Sequence, residues 1–111
     1  MLLKAEAHAQ LNQNEEALTL LNSIRKRAGL STVDIEAVKN LYTDLPSAIL
    51  HERSIELCFE GHRWFDLVRT DKAISTMKPI NGLTDVRNLV WPLHENALLR
   101  NPKLQQNEFY K

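Results

Sequence analysis

A chain of 111 residues is the size of one small domain and, folding alone, would bury roughly 65% of its unfolded surface around a single core. With 43% hydrophobic and 25% charged residues its composition is that of a globular protein and excludes the disordered and collagen-like classes. Fourteen Lys and Arg balance fourteen Asp and Glu, so no net field draws the chain to nucleic acid or to an anionic membrane surface, and neither is expected as a partner.

Leu2, Leu3, Ala5, Ala7, Ala9 and Leu11 read as helix from the second residue onward, with no capping residue ahead of them. Lys4, Glu6, His8 and Gln10 break any apolar run, so this segment is not a secretory signal, and nowhere does the chain hold the run of about 18 apolar residues that a spanning helix needs. The missing helix start predicts that the chain begins inside a larger protein, whose signal lies upstream. Asn12 to Asn14 supply turn residues that tolerate left-handed backbone, and Asn14 is placed to cap a second helix with Glu15 and Glu16 in its first turn. Ala17, Leu18, Leu21, Ile24 and Ala28 then recur at helical spacing. Arg25, Lys26, Arg27 and Gly29 give the charge and glycine signature of a helix end.

Two helices joined so closely form an antiparallel hairpin, and the run from Ala5 through Asn12 to Leu18 is similar to the helix junction of a tetratricopeptide unit. Only one such unit is visible, where about three normally make a stable array, so its packing partners must come from elsewhere. Leu30 to Leu45 reads as a loop with a helical turn near Ile35 to Asn40. Pro46 suits a first helical turn, Ser47 to Glu60 has no internal breaker, and His62 to Thr70 resumes helical spacing, which predicts one long helix bent or briefly broken at Gly61. Beyond Asp71 the pattern weakens into an irregular tail punctuated by Pro79, Asn81, Gly82, Pro92 and Pro102. Its regular candidates are Leu89 to Trp91 and a short helix near Glu95 to Leu99. No second domain boundary shows in the composition. The fold class is all-α: a tetratricopeptide-like helical hairpin, a long bent helix and an irregular C-terminal tail.

Chemistry concentrates between His51 and Arg69. Glu52, Glu56 and Glu60 are four apart, Arg53 precedes Glu56 by three, Arg63 follows Glu60 by three, and Asp66 is three from both Arg63 and Arg69. Opposite charges at such spacings are neighbours on a helix. Glu56 and Glu60 could be read as a glycosidase pair, which needs two carboxyls about 5 to 9.5 Å apart. Two glutamates on one face point the same way, however, and adjacent arginines would strip the general acid of its proton. A charge ladder that locks this helix to its neighbours through arginine forks fits better, and no catalytic residue is expected.

A metal site at His51, Cys58 and His62 fails on length, because at about 1.5 Å per residue the two histidines stand some three turns apart. Cys58, the only cysteine, excludes an internal disulfide and reads as a buried thiol. Neither cofactor nor metal is expected. Trp64 and Phe65 could stack on a sugar, but their place in an amphipathic segment makes them core residues. Tyr42, Trp91, Phe109 and Tyr110 lie in loops or tail and are freer to face a ligand.

The stretch Glu52, Arg53, Glu56, Leu57, Phe59, Glu60, Gly61, Arg63, Trp64, Phe65, Asp66, Leu67, Arg69 resembles the C-terminal signature of the SusD/RagB family. Leu20 to Leu30 resembles the family's segment that ends the helical hairpin, and Trp91-Pro-Leu followed by Asn101 to Asn107 resembles its closing segment. Val68 stands where arginine is frequent, Leu93 and His94 where Ile-Pro is frequent, and Glu108 and Phe109 where Pro-Gly is frequent.

The resemblance implies a non-enzymatic, lipid-anchored component of the outer membrane. Such a protein captures oligosaccharides or other nutrients for a SusC-like TonB-dependent barrel transporter. Residues 1–111 would be the C-terminal portion of the family's domain, with the lipid anchor upstream as its only attachment to the membrane. A tetratricopeptide-like protein-interaction module is the alternative reading. Glu52, Arg53, Glu56, Glu60, Gly61, Arg63, Trp64, Phe65, Asp66 and Arg69 are expected to be a structural signature, and ligand-contacting residues are left unassigned.

Overall fold

The computed structural model describes all residues from Met1 to Lys111 and is built from helices alone, as the sequence predicts. Seven α-helices follow one another: α1 (Leu2–Gln10), α2 (Asn14–Arg27), α3 (Ile35–Leu41), α4 (Leu45–Glu56), α5 (His62–Arg69), α6 (Ala73–Asn81) and α7 (Glu95–Arg100). Two 3-10 turns, Val86–Leu89 and Glu108–Tyr110, complete the set. The chain divides into two compact units, Met1–Asp66 and Leu67–Lys111. The division falls inside α5, where no shift in composition marks it.

The first unit starts with the predicted hairpin. α1 ends in a turn whose Asn12 has a φ of 60°, a left-handed conformation that asparagine adopts at little cost. Asn14 is the first residue of α2 and not its cap: Gln13 holds that place and makes no side-chain capping bond. Glu15 and Glu16 in the first turn and Arg25, Lys26 and Arg27 in the last complement the helix dipole instead. Gly29 closes α2 at a φ of 74°, and the amide of Leu30 reaches back to the carbonyl of Arg25 at 2.9 Å. That is the backbone reversal which glycine permits and a Cβ disfavours.

Asn22 then fixes the segment that follows. Its Nδ2 donates to the Val33 carbonyl at 2.8 Å and its Oδ1 accepts from the Val33 amide at 2.9 Å. Asp34 caps α3 and Asp44 caps α4, each accepting at 2.7 Å from the amide three residues on. Pro46 lies in the first turn of α4, where its missing N–H costs nothing.

Leu2, Ala5 and Ala9 of α1, Ala17, Leu21 and Ile24 of α2, Val38 of α3, and Leu45, Ala48 and Ile49 of α4 form one buried cluster. α1 lies against both α2 and α4, and α4 also meets α3. Ala5, Ala17 and Ala48 are almost wholly enclosed, and their small side chains let the helices approach closely.

The long helix expected across Gly61 stops at Glu56, well ahead of the glycine. Residues 57–61 form a turn in which the Cys58 amide bonds the Ile55 carbonyl at 3.2 Å and the Glu60 amide bonds the Leu57 carbonyl at 3.1 Å. Phe59 and Gly61 both take positive φ there, 67° and 77°. α5 therefore leaves in a direction that helical spacing continued from α4 does not give.

Two expectations fail for this reason. Cys58 is exposed, because it belongs to the turn and not to an inward helix face. Phe65 is 70% exposed, because α5 buries the stripe through Leu67, with Trp64 and Val68 half-buried, and Phe65 lies off it. Tyr42 is half-buried against the core, its ring 5.3 Å from that of His51.

In the second unit the tail is more regular than its composition suggests. Ala73–Asn81 is helical in spite of Pro79, which occupies the last turn, so that the one hydrogen bond a proline removes is close to the helix end anyway. Val86–Leu89 is a 3-10 turn, and Val90 leaves it in extended conformation. The predicted short helix is present as α7.

Side chains near the C-terminus tie this segment together: Gln106 bonds both the amide and the carbonyl of Leu93, at 2.8 and 2.9 Å. Asn107 donates to the Trp91 carbonyl at 2.6 Å, and the Tyr110 hydroxyl donates toward the carbonyls of Arg87 and Val90 at 3.2 and 3.0 Å. The Trp91 ring itself is 80% exposed.

Asp85 begins the 3-10 turn by accepting from the Arg87 amide at 2.9 Å and from Arg87 Nε at 2.6 Å. The Arg87 side chain, and then its amide, hold the Asp85 carboxyl below the usual carboxylate range, and the same pairing raises Arg87. A carboxyl lowered by folding stabilises the folded form above its unfolded value of about 3.9, and that contribution disappears as pH falls through the folded value. The turn should thus be intact at neutral pH and fray only in acid. In an NMR titration the Arg87 amide resonance is expected to hold its position down to about pH 4 and to move below it.

Candidate functional site

The charged residues of the signature stretch meet other helices more than each other. Arg53, in the last turn of α4, points its guanidinium at Asp66 of α5: Nε donates to Oδ2 at 2.9 Å and Nη2 to Oδ1 at 3.2 Å. Both side chains are 7% exposed, so this is a buried fork-to-carboxylate pair spanning the turn between the two helices. Arg63 adds a second tie across the same turn, its Nη1 donating to the Leu50 carbonyl of α4 at 3.2 Å.

Glu52 and Glu56 face the opposite neighbour, α2. Arg25 forms an ion pair with Glu52 and Arg27 one with Glu56. Arg25 also donates from Nε to the Ser31 carbonyl at 2.9 Å, so one guanidinium joins the end of α2, the loop after it and α4. The Arg25 and Glu52 side chains are mostly buried, while Arg27 is open to solvent. The exposed pair is worth about 0–1 kcal/mol, whereas loss of one partner from the buried pair would leave a charge away from water.

The expected lock between this helix and its neighbours thus takes the form of separate pairs, to α2 on one side and α5 on the other. In the sequence Arg25 and Arg27 read as ordinary helix-end charges. The signal for their further role was the match between two arginines two apart and two glutamates four apart, which becomes informative only once α2 and α4 are known to pack together.

The other signature residues fall as follows. Glu60 lies in the turn, exposed, and therefore does not share a helix face with Glu56. Gly61 supplies the left-handed residue that starts α5, and Arg69 stands in the last turn of that helix. Trp64 is half-buried and Phe65 exposed. Cys58 and His62 lie on the turn and at the start of α5, and no group of three or more His, Cys, Asp or Glu side chains is placed to hold one metal ion.

Beside the pairs is a shallow cavity of ≈ 320 Å³, whose lining includes Leu2, Ile24, Arg27, Arg53, Glu56 and Leu57. Another, of ≈ 380 Å³, opens between the hairpin turn and the start of α4, with Asn12, Asn14, Lys39 and Asp44 on its walls. No aromatic side chain lines either one, so neither offers the flat apolar face that stacks on a sugar ring.

The SusD family model matches residues 1–110. SusD-like protein P38 of Formosa agariphila is 47% identical over 115 residues, which cover 99% of this chain. SusD-like protein P2 of the same organism is 31% identical over 118 residues, covering 96% of this chain. The chain spans 23% of the length of each of these relatives. No solved structure matches it. With the family model matching almost every residue and a SusD-like relative 47% identical across 99% of this sequence, the chain belongs to the SusD family.

Proposed function

We propose that the chain is part of a non-enzymatic protein that binds glycans or other nutrients at the outer membrane and passes them to a SusC-like TonB-dependent barrel. In this reading residues 1–111 form a C-terminal scaffold portion of a longer polypeptide, whose lipid anchor lies upstream. The observation that carries the reading is the family match over residues 1–110. The side-chain chemistry supports it: the densest charged stretch is occupied by guanidinium-to-carboxylate pairs that join helices, with Glu56 itself taken up by Arg27. Glu52, Arg53, Asp66 and Arg63 then serve to hold α2, α4 and α5 in register, while ligand and transporter contacts are made elsewhere on the polypeptide.

The test is to express the full reading frame that contains this sequence and challenge it with a panel of soluble polysaccharides. Retardation by at least one of them in affinity electrophoresis, with no release of reducing sugar, is the expected result. Glycan cleavage by the purified protein would refute the non-enzymatic role. A reading frame ending at these 111 residues, with no lipidation cysteine, would instead favour the tetratricopeptide-like interaction module.

A further inference from the structure

Phe59 combines two features that the structure of this chain does not reward. Its relative exposure is 103%, so the ring meets nothing. Its φ is 67°, a conformation in which a bulky side chain is a genuine outlier. Asn12 and Asp71 also take positive φ, but their short polar side chains tolerate it. The turn itself is well made, with the Leu57 amide bonded to the Arg53 carbonyl at 3.0 Å and the Glu60 amide to the Leu57 carbonyl at 3.1 Å. An asparagine or glycine would serve that turn better than phenylalanine.

Isolated exposed apolar residues are common and need no explanation, but Phe59 is not isolated in the chain. Ile55, four residues before it, is 59% exposed, and Phe65, six after it, is 70% exposed.

We propose that Phe59 is a docking knob, inserted by the turn between α4 and α5 into an apolar pocket formed by the remainder of the same SusD-type polypeptide. The inference rests on the reading above that these residues are part of a longer chain. Relatives more than four times as long supply the material for such a pocket, since the match covers 23% of each. An occupant on the same polypeptide is also present at high effective concentration, so its binding needs no separate encounter. Exposed apolar residues before and after Phe59 in sequence suit a dry protein contact better than a sugar, whose hydroxyls require polar groups around the stacking ring.

Cys58, exposed and adjacent, is a built-in reporter. Its alkylation by N-ethylmaleimide, read by mass spectrometry of the peptide that contains it, is compared between the 111-residue chain and the full-length parent. Labelling in the parent should be at least about tenfold slower, as expected for a site opened only by local unfolding. Phe59→Asn in the parent, a change the left-handed turn accepts, should bring the rate back toward that of the short chain, whereas Phe59→Leu should keep the protection. Equal rates in chain and parent, or protection that survives Phe59→Asn, would overturn the proposal. So would protection that arises in the short chain with rising concentration, which identifies a second copy as the occupant, or in the parent only after glycan is added. A reading frame of 111 residues alone sinks the longer-polypeptide reading together with the knob. Unchanged labelling in a longer parent sinks the knob only.

Discussion

Asp66→Ala is expected to lower the stability of the chain by about 3–5 kcal/mol, the cost of leaving a buried guanidinium without its carboxylate. The pair is doubly hydrogen-bonded, at 2.9 and 3.2 Å, and both side chains are 7% exposed. Arg53 is therefore stranded away from water when Asp66 is removed. Arg53→Met removes both hydrogen bonds of the fork from the other side and should also destabilise the chain. The double variant Arg53→Met, Asp66→Leu removes both members of the fork and should lose less than the sum of the two. Urea unfolding of the four proteins measures the cycle. Losses that simply add would mean that the two groups act independently and that the fork between α4 and α5 contributes nothing as a unit.

Ile49→Ala should be the most damaging change in the apolar core, at about 2–5 kcal/mol, with Ile49→Val about 0.5–1.5 kcal/mol. Ile49 has no measurable exposure and belongs to the buried cluster that α1, α2, α3 and α4 share. Truncating it leaves a cavity among helices held at fixed distance by their small residues. Phe65→Ala is the control, because its ring is 70% exposed: stability is expected to stay within about 0.5 kcal/mol. Denaturant midpoints for the three variants decide the matter. A large loss at Phe65 would place its ring in the core and contradict the turn at residues 57–61.

The fork and the core also separate what local pattern conveys from what packing conveys. The charged stretch was readable because its residues are close in sequence, and so were the elements around it. Asn12 at a φ of 60°, Gly29 at 74° and Pro46 in a first helical turn all stand where turn and capping chemistry places them. The candidate site was half readable. Its residues were identified, but their partners were not: Glu56 was read beside Arg53 of its own helix and Glu52 beside none, whereas they pair with Arg27 and Arg25, 29 and 27 residues away.

By itself, then, the sequence determined an all-helical chain with a hairpin at its start, a helix with proline in its first turn and a dense charged stretch after it. Those features depend on interactions within about one helical turn, a range in which neighbours along the chain are also neighbours in space. Tertiary structure decided the end of α4 at Glu56, the exposure of Cys58 and Phe65, the helix that tolerates Pro79, and which arginine meets which carboxylate. These were settled by packing because helix propensities differ by less than about 1 kcal/mol per ordinary residue. Leaving a buried charge unpaired or a core position empty costs several times that amount, which selects the backbone that avoids both.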